Sequence, residues 1–242
     1  MPGLRLFAFN PNAEVTQTPI GRSQIAVIRI EDVLHNPESV AAVGYVQPYA
    51  ADQSNFYPGM RAAMPEDFSS AFRAWLTPIL RNNGLLRHGQ ALSRDQSFFS
   101  VVTTASTELL PIQRIPHYDS TDPGLLAAVI YLGDTRSTGT KFGGTSFYRH
   151  RRTGYEAITA ENHANYQLAL DHEMRLHGPP RREYMNGDSA LFETIFSTPY
   201  KFNSAVIYPG RMLHAANIHT PFEPPRTQSE WRLTITASLQ CN

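Results

Sequence analysis

The spacing of hydrophobic residues changes from helical to strand-like about one third of the way along the chain. Over residues 65–81 the apolar positions recur every three or four residues, and a polar Asn82-Asn83-Gly84 run follows. This pattern predicts a helix over residues 65–81, ended by Gly84 in a left-handed cap. The apolar positions of this helix are Phe68, Phe72, Trp75, Leu76, Ile79 and Leu80. Such an aromatic stripe is typical of core packing.

Two shorter elements are predicted before this helix. Residues 23–30 form an apolar run rich in β-branched side chains, which predicts a strand. Asn36 then precedes Pro37, an arrangement typical of a capped helix start, so we predict a helix from Pro37 to about Ala42. Residues 45–60 are aromatic and aperiodic, which predicts a loop that could cover a site.

Beyond the long helix the chain is mainly β in character. Turn residues separate short β-type runs at residues 97–103, 110–115, 125–132, 144–148, 202–208 and 230–239. A polar-rich helical segment at residues 157–177 interrupts them and ends before Pro179-Pro180. We therefore predict an α+β fold, mainly β with helices, as a barrel or sandwich. One domain over residues 1–242 would combine an N-terminal layer, residues 1–94, with a β core, residues 95–242.

Composition limits the partners and the cellular compartment that we expect for the protein. The chain has 242 residues, a formal net charge of zero and one cysteine, Cys241. A neutral chain gives no electrostatic reason to expect a nucleic acid or an anionic membrane as partner. The lone cysteine excludes an intrachain disulfide and suits a reducing compartment. The apolar run at the N-terminus is too short for a signal peptide, so we expect a soluble, cytoplasmic protein.

A possible half of a metal site lies at His117 and Asp119. Pro116 favours extended backbone here, and residues two apart in a strand point to the same face. An imidazole nitrogen and a carboxylate oxygen could then bind one ion, which a second His would complete as a 2-His-1-carboxylate site. The alternative is a surface turn over residues 118–124, in which Asp119 caps its own backbone.

The last strand offers a candidate anion-binding side chain. Arg232 shares one face with Thr234, Thr236 and Ser238, and apolar residues alternate with them on the other face. A single Arg among threonines suits a cavity that binds a carboxylate. The alternative is an ordinary surface strand with a solvated Arg.

Taken together, the order of these motifs resembles the Fe(II)/2-oxoglutarate dioxygenase superfamily, in its prolyl-4-hydroxylase-like branch. The resemblance covers residues 113–239 and includes the His-x-Asp motif, Gly143-Gly144, His214 and Arg232. It implies a double-stranded β-helix core of the jelly-roll or cupin-like type. An insertion of about residues 149–200 departs from that core.

The resemblance also implies roles for individual residues. His117, Asp119 and His214 would be the Fe(II) ligands. Arg232 would pair with the distal carboxylate of 2-oxoglutarate, and Tyr131 would donate a hydrogen bond to it. The implied reaction consumes O2 and 2-oxoglutarate, releases succinate and CO2, and hydroxylates a small-molecule or peptide substrate.

Several alternatives remain open in the sequence. Eighteen residues lead from His214 to Arg232, more than the family usually has, so Arg226 competes for the role of Arg232. His219 similarly competes with His214. A basic cluster, residues 149–152 with Arg181-Arg182, is either solvated surface or recognises an acidic substrate.

Two rival functions use the same residues. One is a non-catalytic β-barrel binding module, although no expected iron or 2-oxoglutarate residue is missing. The other is a zinc hydrolase, for which no general base is evident beside the metal. His172 and His177 are spaced by five rather than the four of a zinc-protease helix, which predicts a solvated helix face.

Overall fold

Two antiparallel sheets and three α-helices make up residues 6–51, 56–134 and 142–242, which we describe in a computed structural model. The strands are β1 (Glu14–Ile20), β2 (Ile25–Glu31), β3 (Ala50–Ala51), β4 (Gly59–Ala63), β5 (Leu92–Val102), β6 (Leu125–Tyr131), β7 (Thr145–His150), β8 (Phe192–Ser197), β9 (Ser204–Pro209), β10 (His214–Ala216) and β11 (Leu233–Cys241). The helices are α1 (Pro37–Tyr45), α2 (Glu66–Asn82) and α3 (His163–His177). The predicted α+β class, mainly β with helices, is confirmed.

The chain winds back and forth between the two sheets. The large sheet has the order β1-β2-β9-β6-β11-β5-β4-β3, and the small sheet has the order β10-β7-β8. From β6 onward the chain crosses repeatedly between the sheets: β6, β9 and β11 belong to the large sheet, and β7, β8 and β10 belong to the small sheet. Their pairings are antiparallel. This winding is that of the predicted double-stranded β-helix, or jelly roll.

The large sheet is covered on both faces, and the two faces alternate along its strands. In β6, Leu126, Ala128 and Ile130 belong to the core under α1 and α2, the first layer of the protein. Ala127, Val129 and Tyr131 point the other way, towards the small sheet. The period-2 pattern of a strand therefore separates an outer apolar core from an inner face that is free to carry a site.

Helix α2 fixes the outer layer through its aromatic stripe. Phe68, Phe72 and Leu76 are fully buried, and the Phe9 ring lies 5.4 Å from Phe72 and 4.9 Å from Trp75. The prediction that this stripe is core packing is confirmed. Gly84 follows the helix with φ of +72°, as the sequence predicts. No helix among the described residues is long and apolar enough to cross a membrane.

Two local predictions differ from the structure. Residues 110–115, expected as strand, contain a 3₁₀ turn at Pro111–Arg114, because the Gln113 side chain accepts a hydrogen bond from the Leu110 amide at 2.7 Å and closes the turn. The expected loop over residues 45–60 contains β3 and the start of β4. Residues 52–55 of that loop lie outside the described residues.

The expected insertion of about residues 149–200 is shorter in the structure. Strand β8 lies within that range and pairs with β7, with Phe196 opposite Phe147, so it belongs to the small sheet. The segment added to the sheet is therefore residues 151–191, which contains α3. Gly178, at φ of +80°, ends this helix before Pro179.

The basic cluster is not a uniform solvated surface, because Arg149 points inward from β7. Its Nε donates to Glu156 at 2.8 Å, and Glu156 also accepts the backbone amides of Arg22 and Ser23 at 2.9 Å each. Burial raises the pKa of Glu156, but these hydrogen bonds outweigh it and hold the pKa below its usual value. Arg151 forms an exposed pair with Asp188.

We predict that Arg149→Met destabilises the fold by about 3 kcal/mol, because it leaves the carboxylate of Glu156 buried without its cation. The Glu156 side chain is 1% exposed and that of Arg149 is 10% exposed. Urea unfolding measures the loss. Arg151→Met is the matched control and should cost less than about 1 kcal/mol, since its pair lies in water. Equal losses in the two variants would contradict the prediction.

Candidate metal centre and its cavity

Two histidines that are distant in sequence meet through their own backbones. The His117 amide donates to the His214 carbonyl at 2.9 Å, and the His214 amide donates to the His117 carbonyl at 2.8 Å. This bridge extends the small sheet beyond β10, whose other edge pairs with β7. The two imidazole rings are left with their centroids 4.2 Å apart.

Asp119 completes a cluster of three potential ligands. Its amide donates to the Gly210 carbonyl at 2.7 Å, which holds the segment against the turn after β9. Its carboxylate oxygens lie 3.7 Å from Nε2 of His117 and 3.9 Å from Nε2 of His214. One ligand atom from each residue lies within 4.8 Å of the others. The expected same-face arrangement of His117 and Asp119 is thus present.

The hydrogen bond made by His214 determines which of its nitrogens can bind a metal. Nδ1 lies 2.9 Å from the carbonyl oxygen of Met212, and a carbonyl can only accept, so Nδ1 carries the proton. Nε2 is therefore the nitrogen of His214 that faces the cluster and can act as a ligand. Two imidazoles and one carboxylate suit Fe(II) and leave coordination positions open. The three residues fit the metal that the motifs imply.

His117 stands at the cavity surface, and its surroundings favour the neutral form. Its side chain is 54% exposed and lines the cavity. Desolvation by the surrounding protein lowers the pKa of His117 to about 4, and the neighbouring His214 and Arg61 also lower it, against the opposing charge of Asp119. A neutral imidazole is the form that binds metal.

A cavity of about 650 Å³ adjoins the three ligands, a volume typical of small-molecule sites. Thr234, Thr236 and Ser238 of β11 line it together with Arg232, which directly precedes the strand, so the alternation predicted here is confirmed. Leu233 and Ile235 point into the outer core instead.

Arg232 is buried at the edge of this cavity and is held in place by a glycine turn. Its Nε and Nη2 donate to the carbonyl of Gly143 at 3.2 and 3.1 Å, and Nη2 also donates to Gly144 at 3.1 Å. Among the described residues, Nη1 has no hydrogen-bond partner. One terminal nitrogen of the guanidinium is therefore available to an anion, while the other positions the turn.

Tyr131 lies next to Arg232 but not on the cavity surface. Its ring is 5.6 Å from the guanidinium carbon of Arg232, and its hydroxyl lies 2.8 Å from Oγ1 of Thr145. Thr145 lines the cavity, whereas Tyr131 is 1% exposed. The hydroxyl can therefore act on a bound anion through Thr145, or directly if that threonine turns.

The competing candidates lie away from the cluster. His219 and Arg226 are exposed in the loop before β11 and do not line the cavity. His172 and His177 are exposed on α3, as predicted. Sequence reasoning missed Tyr57 and Arg61, which both line the cavity. Their only signal was a position in or beside an aromatic loop that was expected to cover a site.

Similarity to solved structures is broad but weak. SnoN, a non-heme alpha-ketoglutarate-dependent epimerase from nogalamycin biosynthesis, matches at 12% identity and a TM-score of 0.48, over 88% of this chain and 78% of SnoN. A Pseudomonas putida prolyl-4-hydroxylase matches at 10% and 0.45, over 88% and 91%. HygX from Streptomyces hygroscopicus, with nickel, 2-oxoglutarate and hygromycin B bound, matches at 14% and 0.45, over 88% and 82%.

The resemblance to Fe(II)/2-oxoglutarate oxygenases expected from the motifs recurs among these matches. Identities and TM-scores this low do not assign an activity to this chain. No curated protein matches its sequence. A family model does match, over residues 11–239, and the chain therefore belongs to the family of unknown function designated DUF6445.

Proposed function

We propose that this protein is an Fe(II)- and 2-oxoglutarate-dependent oxygenase that hydroxylates an organic substrate. In the overall reaction, one atom of O2 enters the substrate as a hydroxyl and the other enters succinate, while 2-oxoglutarate loses CO2. One observation carries the proposal: two histidines and one aspartate converge on a cavity that also contains a buried arginine with a free nitrogen. A ligand that chelates a metal at one end and carries a carboxylate at the other, as 2-oxoglutarate does, uses both features.

His117, Asp119 and His214 would hold the metal, with Asp119 as the anionic ligand. When bound, Fe(II) supplies the redox chemistry that couples oxidation of 2-oxoglutarate by O2 to oxidation of the substrate. The protein contributes the His117 imidazole in its neutral form, the His214 imidazole with its Nδ1 proton held by the Met212 carbonyl, and the Asp119 carboxylate. The backbone bridge between the histidines keeps these ligands in place.

Arg232 would bind the distal carboxylate of 2-oxoglutarate through Nη1. Because the guanidinium is fixed by Gly143 and Gly144, its free edge has a defined direction before the ligand arrives, which reduces the entropy cost of binding. Thr145 and Tyr131 would add hydroxyl groups beside it. Thr145 Oγ1 can donate to the Tyr131 oxygen, and the phenol proton is then available to the carboxylate.

The cavity walls would exclude water from the reaction. Phe56 and Tyr57 line one side, and Tyr166 and Leu170 of α3 line another. These are the aromatic loop and the inserted segment that the sequence identified as covers. Apolar walls strengthen the electrostatic interactions within the cavity and limit side reactions of the oxidant.

We predict that the variants His117→Ala, Asp119→Ala and His214→Ala each bind the metal much more weakly than the wild type. Loss of a residue that only hydrogen-bonds a metal ligand costs about 10–100-fold in metal affinity, and loss of a ligand itself should cost more. Each variant should also lose the O2-dependent formation of succinate from 2-oxoglutarate. Calorimetric titration with Fe(II) under argon measures the first effect, and chromatography of succinate measures the second.

His219→Ala is the matched control for these variants and should bind metal as the wild type does, since His219 is exposed outside the cluster. The opposite result, with His219→Ala inactive and His214→Ala active, would refute the ligand assignment. Metal binding without any succinate would favour a binding module or a hydrolase.

A second prediction concerns the protonation of His117. In the metal-free protein its imidazole should remain neutral down to about pH 4, whereas in the unfolded chain it takes up a proton near pH 6.5. The metal-free protein should therefore lose stability as the pH falls below about 6.5. NMR titration of the His117 ring follows the first effect. His117→Ala should remove that part of the pH dependence, and titration near pH 6.5 would contradict the prediction.

Arg232 provides the third prediction for this site. Arg232→Met should raise the Kd for 2-oxoglutarate at least tenfold, because a hydrogen bond to a charged group contributes about 1.5–3 kcal/mol. Arg232→Lys should restore part of the affinity, since an ammonium keeps the charge but cannot hold the glycine turn in the same way. Calorimetric titration of 2-oxoglutarate into the Mn(II)-loaded protein measures both.

Arg226→Met removes an exposed arginine and serves as the control, with an expected change in Kd of less than about twofold. If Arg226→Met abolished binding while Arg232→Met preserved it, the loop rather than strand β11 would contain the cosubstrate site.

A further inference from the structure

A second arginine, Arg61, faces the same cavity from strand β4, near one edge of the large sheet. In the strand pairings, Arg61 of β4 lies opposite Ser100, Ser100 lies opposite Thr234, and Thr234 lies opposite Tyr131. Residues that stand opposite one another in a sheet share a face. Arg61 therefore belongs to the inner row that carries the Tyr131 hydroxyl, and it lines the cavity directly.

Aromatic rings hold the Arg61 side chain, and no carboxylate among residues 6–51, 56–134 and 142–242 pairs with it. Its guanidinium carbon lies 4.3 Å from the centre of the Tyr57 ring and 5.4 Å from that of Phe98. Its Nε is buried without a hydrogen-bond partner, and no ion pair within the described part of the chain involves it. Arg73 and Arg149, by contrast, pair with carboxylates.

A buried donor without a partner is costly, and native proteins retain few of them. The Tyr57 and Phe98 rings lie against the Arg61 guanidinium, and its Nε is shielded from water. A ligand that brings an acceptor to this position would satisfy that donor. The unpaired Nε of a cationic side chain therefore points to an anionic ligand at this end of the cavity.

This position is distinct from the one proposed for 2-oxoglutarate. Arg61 is on β4 and Arg232 directly precedes β11, and strand β5 lies between these two strands in the sheet. The Tyr57 ring stacks on Arg61. Burial raises the pKa of Tyr57, and the charges of Arg232 and Arg61 oppose that rise. The cavity thus has two cationic positions, with strand β5 between them.

Large apolar side chains also line the cavity on the Arg61 side. Phe56 is 60% exposed and Ile112 is 45% exposed, and both line the cavity. The Gln113 side chain joins them by donating to the Phe56 carbonyl at 3.0 Å. Large exposed apolar groups at a cavity entrance are typical of a binding surface. A ligand held by Arg61 would place its apolar part against them.

We propose that Arg61 binds a carboxylate of the primary substrate, and that this substrate is a carboxylic acid with an apolar body. The word substrate rests on the proposed function, because it assumes that the bound acid is then oxidised. Binding of the acid to Arg61 can be measured whether or not that oxidation occurs. Arg61 and the three metal ligands line one cavity, so the apolar body would lie next to the metal centre.

The test uses 3-phenylpropionate as the probe and its neutral amide, 3-phenylpropionamide, as the matched ligand. Each is titrated calorimetrically into the full chain loaded with Mn(II) and 2-oxoglutarate. The wild type should bind the acid more tightly than the amide. Arg61→Met should weaken binding of the acid at least tenfold, leave the amide nearly unchanged, and leave the Kd for 2-oxoglutarate within about twofold.

Two further arms separate the contact with Arg61 from binding to the metal and from misfolding. Repeating the titration without metal and cosubstrate shows whether the acid binds only by coordinating Mn(II). This titration does not depend on 2-oxoglutarate, so it tests Arg61 even if the proposed oxygenase reaction is wrong. Arg61→Lys should retain intermediate affinity for the acid and supplies a second variant should Arg61→Met not fold. Arg226→Met should bind the acid like the wild type.

Three results would overturn the inference. The wild type could bind the acid no more tightly than the amide, or Arg61→Met could leave its affinity for the acid unchanged. Arg61→Met could also raise the Kd for 2-oxoglutarate as Arg232→Met does, which would assign Arg61 to the cosubstrate. Failure of the proposed function has a different signature: absence of succinate and of 2-oxoglutarate binding in the wild type.

Discussion

The reciprocal backbone hydrogen bonds between His117 and His214 are the contact on which the site depends. They join two distant parts of the chain as neighbouring strands, and side chains on neighbouring strands lie close enough to share one ion. The Asp119 amide adds a third anchor at Gly210. Because backbone groups make all three contacts, the ligand positions do not depend on flexible side-chain packing.

The jelly roll gives this site its cavity by separating two environments across one sheet. The outer face of the large sheet is covered by α1 and α2, which leaves the inner face free to carry polar side chains. Strand β4 widens that face and brings Arg61 to it. Its pairing depends on Gly59, since a Cβ there would lie 2.0 Å from the Val101 carbonyl oxygen. The close approach of the β4 backbone to β5 at Gly59 thus allows Arg61, a second cation, to line the cavity.

The elements that can be predicted from the sequence are those in which apolar residues repeat at regular spacing over many positions. The stripe of α2 and the alternation of β11 each repeat over many residues, so burial of one face determines the element. The turn at Pro111–Arg114 and strand β4 escaped prediction, because they are short. A single side-chain hydrogen bond decides the first, and pairing with β5 decides the second.

The sequence by itself determined the chemistry available to this protein: His117 beside Asp119 on extended backbone, a distal His214, and Arg232 on the polar face of the last strand. Only the tertiary structure decided that these groups share one cavity, that the Met212 carbonyl holds Nδ1 of His214, and that Arg61 lines the cavity with a buried Nε that no described residue pairs. Local sequence encodes the direction of a side chain within its element. Which elements become neighbours depends on long-range strand pairing, which has no local period to reveal it.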